Sequence, residues 1–293
     1  MLGAAQGARL ASRSPRHFRR NTLDSAMATE GPNTIEGFEV RTYFVRQRNA
    51  LLARADFGEL YVDYYLHQGQ HGYHHAPAQD ALLKETLAAL TLHCASRPWN
   101  ESWAWTIHLQ EALVNLFVTG DNRRGIIVGQ IFTEKVKEDG RNLFYADVVR
   151  ERGESRRSAT QFIGHEPFKI IEQFYEKSEQ RPARFFRNGP EDFVMISAQP
   201  GCDLTWFENL TEEAVRALDQ TETLSLLEQR TYRWSCGCSQ DKMFSILGPI
   251  MRRDARSLFG DDDLIKISCP RCGARHTITR ESLEAYVAED ATN

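Results

Sequence analysis

Four of the six cysteines stand in two tight pairs near the C-terminus. The first is Cys236-Gly237-Cys238; after thirty residues (239–268) comes Cys269-Pro270-Arg271-Cys272. Thiolates one or two residues apart can place both sulfurs on one ion, and two such pairs complete a tetrahedron. Zn²⁺ is the usual occupant of a four-sulfur site, so one Zn²⁺ per chain is expected on Cys236, Cys238, Cys269 and Cys272. The second pair has knuckle form, with Gly273 relieving the tight turn after the last ligand. The first pair departs from the two-residue spacing that zinc ribbons favour at both ends. With only Gly237 between them, its ligands approach through a cramped loop, which points to a site that does more than hold a fold.

The rest of the composition narrows the field. At 293 residues, with 41% hydrophobic and 26% charged residues, the chain can bury a sizeable core in more than one domain. A net charge of −4 gives no global electrostatic reason to bind nucleic acid or an acidic membrane surface. Nor does any apolar run reach the eighteen residues of a spanning helix. Cysteines clustered in pairs fit a reducing compartment with metal or redox use, not a secreted disulfide framework. A cytoplasmic location is expected. The alternative is an organelle, if residues 1–27 are a transit peptide, for they carry Arg9, Arg13, Arg16, Arg19 and Arg20 against the single acid Asp24. The competing reading makes Met27 the true start and the residues before it a disordered extension; either way residues 1–33 are expected to lie outside the fold.

The elements that must position the cysteines are expected to be α+β: a mixed core with an antiparallel sheet, a helical linker and a small zinc-binding domain. Phe38–Val45 alternates as a half-buried strand, and residues 48–66 have the composition of a helix. His67, His71, His74 and His75 follow, interrupted by Gly69 and Gly72 and followed by Pro77. The glycines predict a solvated, loop-borne cluster and not a second metal site. Leu83, Leu87, Leu90 and Cys94 recur on one helix face, which makes Cys94 a small core hydrophobe. Trp99, Trp103 and Trp105 are expected to pack. Residues 104–163 read as strands separated by Gly, Asp and Asn, which predicts the antiparallel sheet. Glu166–Gln180 reads as an amphipathic helix closed by Pro182, and Phe193–Ser197 as a further strand ahead of Cys202. Nothing in this region has the geometry of a catalytic triad, a phosphate loop or paired carboxylates, so no catalytic residue is assigned.

Residues 203–231 mix acids (Asp203, Glu208, Glu212, Glu213, Asp219, Glu222, Glu228) with Trp206, Phe207, Leu210, Val215, Leu218, Leu224, Leu226 and Leu227. This predicts an acidic amphipathic helix that must lean on a neighbour. In the cysteine module, Met243, Phe244, Leu247, Ile250 and Met251 give a helical apolar face. Leu264–Ser268 and His276–Ile278 should form a hairpin around the second pair, and residues 280–288 a final helix. So small a core is insecure without its metal. His276 could substitute as a ligand, but a packing or surface role is expected, since four cysteines already fill the tetrahedron.

The cysteine pattern, together with Phe174-Tyr175-Glu176-Lys177-Ser178-Glu179-Gln180-Arg181-Pro182 and the Arg124-Gly125 strand start, resembles the redox-regulated heat-shock chaperones of the heat shock protein 33 family. The likeness covers about residues 35–288 and is strongest in the last 130. The glycine-rich turn of that family near Gln110 is replaced here by Glu111-Ala112-Leu113-Val114, and the histidine cluster lies outside its pattern. The resemblance implies an N-terminal core over residues 34–202, a metastable linker over 203–231 and a zinc switch over 232–293. It implies zinc on the four cysteines in a reduced, inactive state. It further implies Cys236–Cys238 and Cys269–Cys272 disulfides after oxidation by peroxide or hypochlorous acid, with loss of the metal and unfolding of switch and linker. Partners would be unfolded client proteins, held without ATP under oxidative stress, and a second copy in an oxidised homodimer. No enzymatic activity, membrane or specific nucleic acid is implied.

Two other classes compete. A structural zinc module on an interaction or nucleic-acid-binding protein predicts a basic face, yet the linker is acidic. A thiol–disulfide oxidoreductase predicts one low-pKa Cys-x-x-Cys at a helix start and leaves the other pair unexplained.

Overall fold

Alternation along Phe38–Val45 sets one side of strand β1 into the core, with Phe38 and Val40 buried and Glu39 and Arg41 exposed, while Val45 is buried in a second apolar cluster. In the computed structural model the described residues are 37–151 and 153–290; the expected extension over residues 1–33, with Met27, lies outside them. Among the described residues ten strands join one sheet in the order β7-β6-β3-β4-β5-β10-β1-β2-β9-β8. The strands are β2 (Ala50–Asp56), β3 (Glu101–Leu109), β4 (Val114–Asp121), β5 (Ile126–Phe132), β6 (Leu143–Arg150), β7 (Arg156–Gln161), β8 (Ala183–Arg187), β9 (Asp192–Ala198) and β10 (Leu224–Trp234). The sheet is antiparallel as expected except where β10 meets β5, at Arg233 and Trp234, in parallel. The mixed α/β core with its large sheet and the C-terminal cysteine cluster match the expected fold class.

Helix α2 (Pro77–Ala95) is the centre of the core. It packs on β4 and β5 and against α3 (Pro167–Phe174). From Thr86 to Ala95 every residue is buried, so this is a helix enclosed on all sides and not one with a single inward face. Thr86 and Thr91 fit there because their hydroxyls donate to the Leu82 and Leu87 carbonyls. Cys94 is fully buried as expected, and Gly120 is required opposite it, since a Cβ there would stand 2.7 Å from the Cys94 Sγ. Trp103 and Trp105 pack inward, whereas Trp99 is half-exposed beneath the Arg230 guanidinium. The amphipathic segment from residue 166 is α3 followed by one π-helical turn over Tyr175–Glu179.

Three local expectations are corrected. Residues 48–66 are not one helix: Ala50–Asp56 is β2, sandwiched between β1 and β9, and helix α1 runs over Gly58–Gln70. That helix continues through Gly69, so His67 belongs to its last turn and not to a loop. The linker is helical only in part, with α4 (Leu204–Glu208), α5 (Glu212–Arg216) and α6 (Leu218–Thr221) as short turns. Leu224–Trp234 is strand β10, because Arg230, Tyr232 and Trp234 alternate inward and pair with β1 across the sheet. Arg230 donates to the Cys94 carbonyl and to Glu228, while the Tyr232 hydroxyl donates to Asn122. The turn between β3 and β4 puts Leu113 at φ 48, a left-handed conformation that favours glycine. No described helix is long and apolar enough to cross a membrane.

The small module has its own apolar cluster. Helix α7 (Gln240–Arg253) faces α9 (Arg280–Asp290), with Met243, Phe244, Leu247 and Leu283 buried between them. Helix α8 (Ala255–Phe259) leads into the hairpin of β11 (Leu264–Ser268) and β12 (Arg275–Thr279), close to the expected spans.

One buried group gives the fold a pH signature. His93 is fully enclosed by Trp103, Trp105, Phe174 and Tyr175, with Nδ1 2.6 Å from the Tyr175 hydroxyl. Burial, and then Arg97 and Arg181, hold it well below the ordinary histidine value. Burial lowers His75 in the same direction. The folded chain therefore refuses a proton that the unfolded chain accepts below about pH 6.5, so stability is full above that pH and drains as pH falls beneath it. The urea midpoint is expected to be lower at pH 5.5 than at pH 7.5, with the native His93 ring still neutral by NMR. An unchanged midpoint, or a charged native ring, would contradict this origin.

Candidate metal centre

Each cysteine pair is delivered by a different kind of element. Trp234, the last residue of β10, has its ring 5.2 Å from Tyr64 and 5.7 Å from His67 on α1. The next amide, Ser235, donates to the Ile127 carbonyl at 3.3 Å, so Cys236 leaves directly from the large sheet. Gly237 then takes φ 65, a left-handed conformation that lets the chain double back within one residue and bring Cys238 beside Cys236. Ser239 caps α7 by accepting from the Lys242 amide, which fixes Cys238 just ahead of a helix start. The second pair closes the β11–β12 hairpin. The Cys269 amide donates to the Ala274 carbonyl at 2.8 Å, the Gly273 amide donates back to Cys269 at 2.9 Å, and Gly273 sits at φ 75.

The four sulfurs converge, all within 4.8 Å of one another. Cys236 and Cys269 Sγ are 3.6 Å apart and Cys238 and Cys272 Sγ 3.5 Å. A tetrahedral zinc site with bonds of about 2.3 Å has sulfur–sulfur edges of roughly 3.8 Å, so the cluster has the right size for the ion. Its chemistry fits too. Four soft sulfurs suit zinc, and the site is largely enclosed: Cys272 is 0% and Cys269 3% exposed, with Cys238 the most open. Hydrogen bonds from Cys236 and Cys272 hold the Cys269 thiol far below its ordinary value. The bonds that Cys272 makes to Cys236 and Cys269 hold it far above. Burial pushes Cys238 up to about 12. Protein groups alone thus favour the Cys269 thiolate and resist those of Cys238 and Cys272, and a divalent cation is what would let four coexist.

The remaining residues singled out in the sequence fall into place around this cluster. Among the described residues, the histidines do not converge into a second group of metal ligands. His67 is half-buried and its Nε2 lies 3.2 Å from the Cys272 carbonyl, while His71 faces His276 at a ring distance of 5.9 Å. The cluster is therefore loop-borne only from His71 to His75, with His74 exposed, while His67 leans on the second knuckle in a contact between residues 205 positions apart that no local pattern announces. His276 packs as expected. Cys94 and Cys202 lie outside the site, and burial raises both thiols, which leaves them poor nucleophiles. The Cys-x-x-Cys sits in a hairpin turn and not at a helix start, against the oxidoreductase geometry. An open groove of about 380 Å³, lined in part by Leu66, His67, Trp234, Gly237 and Cys238, leads from solvent to the first pair.

Comparison with known proteins points the same way. The family model described as Hsp33 protein matches residues 195–279, which contain all four cysteines. The 33 kDa chaperonin of Edwardsiella ictaluri is 25% identical, over 71% of this chain and 82% of its own. That of Vibrio vulnificus is 23% identical, over 73% and 85%. The crystal structure of the 33 kDa chaperonin (heat shock protein 33 homolog) of Thermotoga maritima superposes with a TM-score of 0.66 at 12% identity. It covers 88% of this chain and 100% of its own, which is a likeness of fold. The domain around the cysteines is thus similar to the Hsp33 family model, most of the chain is similar in sequence to 33 kDa chaperonins, and the fold is like that of the Thermotoga maritima protein.

Proposed function

We propose that the chain is a redox-switched, ATP-independent holdase of the cytoplasm, in which one Zn²⁺ on Cys236, Cys238, Cys269 and Cys272 keeps the reduced form closed. The observation that carries this reading is where the sulfurs sit. They form the joint between β10, a strand of the large sheet, and a small module whose own core is one cluster around Met243, Leu247 and Leu283. In this reading residues 34–202 hold clients, 203–231 form the linker and 232–293 the switch.

When bound, the ion supplies the charge that keeps four sulfurs deprotonated and close, without redox chemistry of its own. The chain does the rest. Cys238, reached through the groove, is the sulfur most open to a peroxide or hypochlorous acid. Two thiolates of one pair give up two electrons to form a disulfide; one hydrogen peroxide takes those electrons with two protons and leaves as two waters. A Cys236–Cys238 and a Cys269–Cys272 bond together consume two peroxides and remove all four ligands. Pairing within each pair matters physically. The Cys236–Cys269 and Cys238–Cys272 sulfur contacts run between pairs, and a bond along either would tie the two knuckles together, whereas bonds within pairs leave them free.

Coordination contributes about 10–16 kcal/mol in small zinc domains, more than a core of this size supplies, so its loss unfolds the module. The short helices α4, α5 and α6 have little stability of their own and would loosen with it. Apolar surface so exposed would bind unfolding chains in preference to native ones, and would suit pairing with a second copy. Such binding needs no chemistry on the client.

Two measurements test this. Replacing Cys269 and Cys272 together by serine should abolish tight zinc binding, a loss of at least about 100-fold on the ligand energetics above; retention of tight zinc would refute the ligand assignment. In the wild-type protein, mild peroxide should release one zinc per chain, create suppression of thermal aggregation of an unrelated protein, and yield disulfides within each pair by peptide mapping. Zinc retained after oxidation, or full activity in the reduced protein, would rule the switch out.

A further inference from the structure

We propose that Tyr73 and His67, at the junction of α1 and α2, are positioning residues for the metal centre: they grip the Cys272 carbonyl and set how readily the second cysteine pair lets go. This rests on the zinc-switch reading above and deepens it by naming what governs release.

Two donors converge on one ligand residue. The Tyr73 hydroxyl donates to the Cys272 carbonyl at 2.6 Å, and His67 Nε2 stands 3.2 Å from the same oxygen. A carbonyl only accepts, so His67 carries its proton on Nε2, and both lone pairs of a residue with no exposed surface are used. The connector is shaped for this. Helix α1 ends at Gln70, the His71 amide donates to the His67 and Gln68 carbonyls, and the Tyr73 amide returns to Gln68. Gly72 at φ 62 reverses the chain between them and turns Tyr73 toward the module.

The knuckle is cut to match. A Cβ on Gly273 would stand 3.0 Å from the Tyr73 ring and hydroxyl, so the glycine after the last ligand serves the contact as well as the turn. Arg275 reaches back across the joint: its Nη1 donates to the Gly72 carbonyl at 3.0 Å and its guanidinium lies 5.8 Å from the Tyr73 ring centre. Both partners thus contribute polar groups to the clasp.

The two cysteine pairs are fastened unequally, which gives the clasp its effect. The first pair continues β10 and is held by the large sheet. The second follows β11, which pairs only with β12 in a separate two-stranded sheet. When sulfur ligation weakens, the hydrogen bonds to Cys272 and Gly72 still hold the second knuckle against the core. Release must break them, so they raise the threshold for opening.

Tyr73→Phe removes one hydroxyl and keeps the ring, its packing and its stacking with Arg275, so packing alone would leave release unchanged. Tyr61→Phe is the control: its hydroxyl also donates to a carbonyl, that of Lys84 at 2.9 Å, but between α1 and α2 and away from the knuckle. The full chain, reduced and zinc-loaded, is challenged with excess colorimetric chelator, and hydrogen exchange is followed over residues 264–279. Tyr73→Phe should release zinc about two- to tenfold faster than wild type, as loss of one hydrogen bond dictates, and lose protection in the hairpin. His67→Ala should act in the same direction, while Tyr61→Phe keeps the wild-type release rate despite a lower melting temperature. Stoichiometric zinc with a wild-type release rate in Tyr73→Phe overturns the clasp and leaves the zinc centre standing. A wild-type chain that holds no stoichiometric zinc refutes the centre itself, and the clasp with it.

Discussion

Four thiol groups packed within 4.8 Å of one another cannot all ionise on their own, and the joint depends on that constraint. Hydrogen bonds among them favour the thiolate of Cys269 and disfavour that of Cys272, and burial disfavours that of Cys238. On the proposed reading, a cation would convert mutual repulsion into attachment, and its loss would leave the sulfurs to be protonated or joined as disulfides. A joint with these two conditions is either firmly shut or unable to stay shut, which is the behaviour a switch requires.

The architecture places that joint where its state is felt. Strand β10 lies between β1 and β5, anchored by Arg230 on the Cys94 carbonyl and Tyr232 on Asn122, and it ends two residues before Cys236. One half of the centre is thus an extension of the core sheet. The other half belongs to a hairpin whose apolar support comes from α7 and α9. The linker between them is not free-standing: its early part rests on a second apolar cluster with Phe207, Leu210, Val215 and Leu218, and its later part is sheet. Opening the joint therefore removes the tether at the C-terminal end of β10 while its pairing with β1 still holds, so unfolding would spread from the module toward the sheet.

How much of this could be read from residues alone follows from the range of the interactions. The cysteine spacing with Gly237 and Gly273 was legible because ligand geometry is local, and the structure brings those four residues together. Helix α2 and most strands were legible because their patterns run within a few residues. Strand β10 was not: the leucines and the single acid at 224–228 continue the acidic amphipathic pattern before them, and its stabilising partner β1 lies about 190 residues earlier, as Thr42 opposite Glu228 illustrates. Strand β7, Arg156-Arg157-Ser158-Ala159-Thr160-Gln161, shows no apolar face because it is an edge strand largely in water. The grip of Tyr73 and His67 on Cys272 is a tertiary contact between a connector and a turn, and neither sequence hints at the other.

The most direct test of the joint is hydrogen exchange on the reduced, zinc-loaded chain before and after its metal is removed by oxidation. Protection over residues 240–290 should collapse and that of residues 224–234 weaken, while β3 and β4 keep theirs. A module that stays protected once zinc has left would contradict the claim that the four cysteines hold it closed.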